Sequence, residues 1–273
     1  MTTRMMKYLP ALAIAVLATA ASAQTSVVGS SHDLSATGKD VQGAAGQAQN
    51  QVCVYCHMPH NATNVGAPLW NRTNSTTAFT MYSAANSSTF QLNAADTNTA
   101  ARPVGPVSLA CLSCHDGVTA FNSLNQTPMI DADNAKPAIG YTFSAANMAV
   151  ASPAGAGSAN LTTDLTNDHP ISFTYDAALA SLKGITLNDP TITPTNTGTT
   201  GALVILRAGN LGPNNTIAAQ MLFTKVGASA ATQLECASCH EPHMQGDLTA
   251  ASNYPFLIKS NQGSKLCLTC HNK

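Results

Sequence analysis

The sequence predicts a mostly irregular chain with short helices and a few β-strands, organised around bound groups and not around a sheet or a helix bundle. Three observations support this fold class. Only 9% of the 273 residues are charged and 5% are aromatic, far below the roughly 25% charged residues of an average globular domain. No long amphipathic helix pattern is visible. All eight cysteines fall into copies of one short motif, so the interior depends on more than aliphatic packing.

The first 23 residues are predicted to be a signal peptide that is cleaved after Ala23. Arg4 and Lys7 precede an apolar run that is too short to span a bilayer, and a small-residue cleavage site follows it. Cleavage would lower the formal charge from −1 to −3 by removing these two cations. We therefore expect a secreted, extracellular protein that is exported through the periplasm, with no membrane span. The shortage of cations also excludes the basic surface that nucleic-acid binding needs.

The cysteine motifs all have the form C-x-x-C-H, which is the attachment signature of c-type haem. Two thiols one helical turn apart can form thioethers with the two vinyl groups of one porphyrin, and the next residue presents an imidazole to the iron. The predicted thioether residues are Cys53, Cys56, Cys111, Cys114, Cys236, Cys239, Cys267 and Cys270. The predicted proximal iron ligands are His57, His115, His240 and His271. The cofactors predicted are four covalently attached haem c groups.

Two other uses of paired cysteines are disfavoured by the same pattern. A framework of four disulfides or a pair of zinc sites would not require a histidine after every second cysteine. The repeated histidine therefore favours haem over both alternatives.

Four further histidines are the predicted distal iron ligands: His32, His60, His169 and His243. His60 and His243 each lie in a C-H-x-P-H frame, in which three extended residues span at most about 10 Å. Neither can reach the far face of the haem held by its own motif, so each should turn toward a neighbouring haem. Methionine is the competing ligand type, but its ordinary role is to fill irregular gaps. We therefore favour bis-histidine ligation at all four irons.

The motifs occur as two similar pairs, which predicts a two-haem unit at each end of the mature chain. The N-terminal unit is residues 24–130 and the C-terminal unit is residues 233–273. Each contains a C-H-x-P-H frame, a short apolar segment with a proline, and a second motif. By this symmetry His60 and His243 would serve the second haem of their own unit, while His32 and His169 would serve the first. The repetition allows other pairings.

The intervening segment, residues 131–232, is rich in Thr, Asn and Pro. Its turn signals predict a largely irregular path with short strands. Residues 202–206 are predicted to form a buried strand. Short helices are predicted at 175–182 and 216–223.

The order of these motifs resembles the extracellular tetrahaem c-type cytochromes of the nanowire-forming, OmcE-like kind. The resemblance is carried by the two C-H-x-P-H frames, by Pro-Leu-Trp-Asn at 68–71, by Cys-Leu-Ser-Cys-His-Asp-Gly at 111–117 and by Asp-His-Pro-Ile-Ser-Phe at 168–173. It implies a filament subunit, not an enzyme, with stacked bis-histidine haems. In that family one haem takes its distal histidine from the adjacent subunit, and His32 is the candidate donor on its position near the mature N-terminus. The implied partners are further copies of the chain, redox partner cytochromes and extracellular electron acceptors.

Two other functions stay open from the sequence. A monomeric periplasmic electron shuttle would carry the same haems, with every distal ligand supplied by its own chain. A multihaem reductase would need one iron with an open coordination site, which the four additional histidines disfavour. Irons with two imidazoles have no place for a substrate and can only transfer electrons.

Overall fold

A computed structural model of the chain describes residues 27–28, 30–35, 51–94, 96–119, 123–125, 159–192, 216–225, 227–243, 256–259 and 261–272. The predicted signal peptide and the predicted strand at 202–206 lie outside these residues. Within them, helices and strands are few and short, as the sequence predicts. None of the described helices is long and apolar enough to cross a membrane.

The N-terminal unit is built on a hairpin and one helix. Strands β1 (Thr63–Val65) and β2 (Ala67–Trp70) are antiparallel and lie against helix α1 (Pro106–His115). Gly66 turns the hairpin with a φ of +64°, and a side chain at this position would collide with the main chain of Pro106. Proline in the first turn of α1 suits the fixed φ that a helix start needs. The last turn of α1 carries the second motif.

A small sheet connects the intervening segment to the C-terminal unit. It consists of β3 (Phe173–Thr174), β4 (Phe223–Thr224) and β5 (Ala231–Leu234), antiparallel in the order β3-β5-β4. Strand β5 runs directly into the third C-x-x-C-H motif.

Short helices flank this sheet, and a further helix carries the fourth motif. They are α2 (Ala177–Ala180), α3 (Ile217–Met221) and α4 (Cys267–Cys270). The carboxylate of Asp176 caps α2 and the hydroxyl of Thr216 caps α3, each by accepting a main-chain N–H. Helices α2 and α3 lie within the predicted ranges 175–182 and 216–223 but are shorter.

Two apolar clusters hold the motifs in place. The larger cluster lies at the sheet and contains Phe173, Tyr175, Leu179, Ile217, Met221, Leu222, Leu234 and Ile258. Cys239 and Cys270 pack against it, so the sheet supports the C-terminal unit. The smaller cluster contains Phe79, Met81, Leu112 and Leu165. Because Leu112 belongs to the second motif, this cluster fixes the N-terminal unit.

Candidate haem-binding site

Each C-x-x-C-H motif forms one helical turn. The main-chain N–H of the motif histidine donates to the carbonyl of the first cysteine at 2.8 Å in the first and fourth motifs and 3.1 Å in the third, while the second motif lies in α1. This turn brings both cysteines of a motif to the same side of the chain. All eight cysteines are free, with no disulfide between them, and the described residues contain no cluster of three or more potential metal ligands.

Consecutive motifs lie next to one another in space. Burial raises the pKa of the Cys56 thiol to about 12, and the next influence on it is Cys114 of the second motif. The Cys111 thiol shares a hydrogen bond with Cys236 of the third motif. Cys239, whose pKa burial raises to about 11, also interacts with Cys267 of the fourth motif. The four attachment points therefore follow each other in chain order.

The internal repeat is visible in the hydrogen bonds of the two C-H-x-P-H frames. The N–H of Met58 donates to the Leu69 carbonyl at 2.8 Å, and the N–H of Glu241 donates to the Phe256 carbonyl at the same distance. The two acceptor residues, Leu69 and Phe256, both have φ values in the left-handed region, 55° and 64°. Bulky residues rarely adopt this conformation. Its occurrence at equivalent positions shows that the two frames share the same backbone conformation at this point.

Three motif histidines each lie close to a predicted distal histidine. The two rings are nearly parallel in one pair (19°) and steeply inclined in the other two (67° and 75°). Their ring centres are 5.8 Å apart for His57 and His243, 6.1 Å for His32 and His115, and 6.3 Å for His169 and His271. A metal–imidazole bond is about 2.0–2.1 Å long, and with the ring centre roughly 1.1 Å behind the nitrogen, two axial imidazoles on one metal have centres about 6.3 Å apart. The three pairs therefore fit iron between them.

In five of these six rings Nδ1 already has a hydrogen-bond partner, which leaves Nε2 for iron. The Nδ1 partners are the carbonyls of Pro68 for His57 (2.7 Å), Ala159 for His115 (2.7 Å), Pro242 for His32 (3.2 Å) and Pro170 for His169 (2.9 Å), and the Glu241 carboxylate for His243 (2.9 Å). Such hydrogen bonds orient a metal-binding histidine and fix its tautomer.

Electrostatics favour the neutral imidazole at the centre of the site. Burial, followed by the neighbouring His115, lowers the pKa of His32 to about 4. Burial also lowers the pKa of His115. At the edge, the hydrogen bond to Glu241 raises the pKa of His243. Because metals bind the unprotonated ring, the buried imidazoles are already in the binding form.

Other side chains also suit a porphyrin beside these rings. The Phe256 ring stacks on His32 at 4.1 Å, and the Trp70 indole lies 6.0 Å from the ring of His57. The indole N–H of Trp70 is buried without a hydrogen-bond partner among the described residues. Buried polar groups are normally satisfied, and a haem at His57 would supply acceptor oxygens from its propionates.

The pairing differs from the symmetric expectation. The structure places His243 beside His57, His32 beside His115 and His169 beside His271, so no distal histidine follows the predicted assignment. The position of His32 within its own chain also argues against its predicted role as donor to an adjacent subunit. The two units pack against each other. The second and third motifs are in contact, and His243 of the C-terminal frame lies beside His57 of the first motif.

His60 and His240 are the two candidate ligands that the structure does not bring together with another imidazole. His60 is exposed. His240 is near enough to His32 and His115 to influence both electrostatically, but neither its ring nor that of His60 is paired with another imidazole among the described residues.

Comparison with known proteins supports haem c as the cofactor. Residues 228–273 match the family described as the doubled CXXCH motif. No curated protein matches the chain. The matched segment contains the third and fourth motifs, and the doubled motif indicates a multihaem c-type cytochrome that binds haem c covalently. Electron transfer is the activity that this cofactor suggests.

Proposed function

We propose that the protein is the subunit of an extracellular cytochrome filament in which electrons hop through four closely stacked bis-histidine haems. The observation that carries this proposal is that His60 and His240 are the two candidate ligands left without an imidazole partner among the described residues. His240 is a motif histidine with no opposing imidazole among the described residues, and His60 is an exposed imidazole that is not paired with any motif histidine there. His60 of one subunit would ligate the iron held by His240 of the next.

The geometry around His60 suits such a bond. Pro59 precedes it, Asn61 follows it with a φ of 55°, and its side chain projects from the surface. A short, sharply turned segment of this kind can present one imidazole to a neighbouring molecule. Because the bond between subunits would be a metal–ligand bond, assembly would require haem.

The order of the attachment points supports a continuous electron path. The second and third motifs are in contact, and the first and second and the third and fourth are close enough to interact electrostatically; haems held there would follow one another in chain order. When all four irons have two imidazoles, none can bind a substrate, and we therefore propose a carrier and not an enzyme. Its partners would be copies of itself, redox partner cytochromes and extracellular electron acceptors.

The experiment is negative-stain microscopy and sedimentation of the haem-loaded mature protein, secreted by its own host, with His60→Ala and His243→Ala as a matched pair. We expect red, pelletable filaments from the wild type and none from His60→Ala. His243→Ala should still form filaments but convert one haem to a high-spin form, because its partner His57 lies in the same chain.

Other outcomes would support different functions. Filaments from His60→Ala would contradict the proposed junction. A uniform monomer that is low-spin throughout would indicate the periplasmic shuttle. A monomer with one high-spin haem that responds to cyanide or nitrite would indicate a reductase with an open site at His240.

A further inference from the structure

Each two-haem unit contains a buried cation at an equivalent place. Arg72 is 1% exposed and Lys259 is 7% exposed. Isolated β-bridges pair His57 with Trp70 and His240 with Leu257. Each cation lies two residues beyond its bridge, although the rest of the sequence around the two positions differs.

Both cations reach the same position of the second motif in their unit. Arg72 donates from Nε to the Ser113 hydroxyl at 3.0 Å and from a terminal nitrogen to the Ser113 carbonyl at 2.7 Å. Lys259 donates from Nζ to the Thr269 hydroxyl at 2.9 Å. Ser113 and Thr269 are fully buried and are the residue before the second cysteine. Each hydroxyl donates in turn to a main-chain carbonyl a few residues earlier, that of Ala110 in α1 at 2.7 Å and that of Lys265, just before α4, at 2.9 Å.

The positive charge acts on the attachment motif itself. Ser113 and Thr269, which accept hydrogen bonds from the two cations, directly precede Cys114 and Cys270. These cysteines immediately precede His115 and His271, so each charge lies beside the proximal ligand of the second haem. Buried charges are screened by salt much less than exposed ones.

We propose that Arg72 and Lys259 set the redox potential of the second haem in each unit, the haems held by His115 and His271. Reduction adds one electron to ferric iron, with no bond formed or broken and no proton moved. The ferrous haem has one positive charge fewer, so a nearby cation favours it and raises the potential. The potentials would then alternate along the line of haems. This inference rests on the proposed haem attachment but not on filament assembly.

The neighbouring charges predict that the two effects differ in size. Asp116 is buried and directly follows His115, so its negative charge would offset part of the positive charge of Arg72. The equivalent residue of the fourth motif is Asn272, which is uncharged. Lys259 should therefore have the larger effect.

The test is a spectroelectrochemical titration of the haem-loaded full chain with Arg72→Gln and Lys259→Gln. We expect each variant to move one component, a different one in each case, to lower potential, with the larger shift in Lys259→Gln. Arg72→Lys and Lys259→Arg keep the charge and should stay near the wild type. Ser113→Ala and Thr269→Ala remove the hydroxyl without removing the charge and should also stay near it.

Two results would overturn the proposal. One is a Lys259→Gln variant whose redox titration is the same as that of the wild type. This result would be sufficient even if Arg72→Gln does not fold. The other is an equal shift in Thr269→Ala, which would assign the effect to local packing and not to charge. The covalent haem content of the wild type, measured first, tests the cofactor separately, so failure of the proposed function is distinguishable from failure of this inference.

Discussion

The two C-H-x-P-H frames have the same backbone hydrogen bonds but differ at their third residue. In the C-terminal frame Glu241 accepts from both the main-chain N–H and the ring Nδ1–H of His243, at 3.3 and 2.9 Å. In the N-terminal frame Met58 offers only a thioether, a weak acceptor. Both His60 and His243 are exposed, so the difference between them is the acceptor and not the burial of the ring. A carboxylate at the third position of the frame can therefore hold the following imidazole in place within its own chain. Without that carboxylate, the imidazole stays available to another molecule.

The units also differ in how tightly their turns are packed. Gly66 in the N-terminal hairpin has a positive φ and lies against the main chain of α1, whereas Gly263 before the fourth motif has a similar φ, 62°, and open space around it. Both positions demand a left-handed backbone, but only Gly66 also demands the absence of a side chain.

The largest expected effect comes from Gly66→Ala. Left-handed strain costs about 1–3 kcal/mol, and forcing a methyl group against α1 adds about 1–3 kcal/mol. We expect a loss of roughly 2–6 kcal/mol in the free energy of unfolding, measured by denaturant titration. Gly263→Ala is the matched control and should cost only the strain. Equal losses in the two variants would show that the hairpin does not rest on α1 as described.

A smaller effect is expected from Glu241→Gln. A carboxylate acceptor makes a histidine ligand more basic, which favours ferric iron, so its neutralisation should raise the potential of the haem between His57 and His243. A charged hydrogen bond exceeds a neutral one by on the order of 1 kcal/mol, about 40–60 mV for one electron. Redox titration measures the shift, and an unchanged potential for this component would contradict the predicted effect of Glu241.

The smallest effect concerns the contact between the two units. Glu235 precedes the third motif and accepts hydrogen bonds from the hydroxyls of Ser108 in α1 and Ser172. Burial raises the pKa of its carboxyl above the ordinary 4.5, and these hydrogen bonds only partly oppose the rise.

The sign of the pH dependence follows from that raised pKa. Below pH about 4.5 the carboxyl is protonated in both the folded and unfolded states, and stability is complete. As the pH rises from there through the folded pKa, the unfolded state releases its proton first, so stability falls. Glu235→Gln should flatten this decline in denaturant midpoints measured between pH 4.5 and 8. An unchanged slope would mean that Glu235 is not the titrating group.

Features that depend on residues close together in the sequence could be predicted. The C-x-x-C-H turns, the positions of α2 and α3 and the inability of His243 to ligate its own haem all depend on a few consecutive residues. The β1–β2 hairpin was missed because its residues show no clear alternation of apolar and polar side chains, and its turn depends on the contact of Gly66 with α1. The pairing of His32 with His115 was missed because it joins distant parts of the chain.

Sequence alone predicted which cysteines would attach haem and which histidines are candidate ligands, because that prediction depends only on the spacing of neighbouring residues. Only the tertiary structure decided that Arg72 and Lys259 are buried against Ser113 and Thr269, and that His243 faces His57 while His60 remains exposed. These relations arise from the packing of one unit against the other. Packing depends on contacts between residues far apart in the chain, and a repeat in the sequence does not specify them.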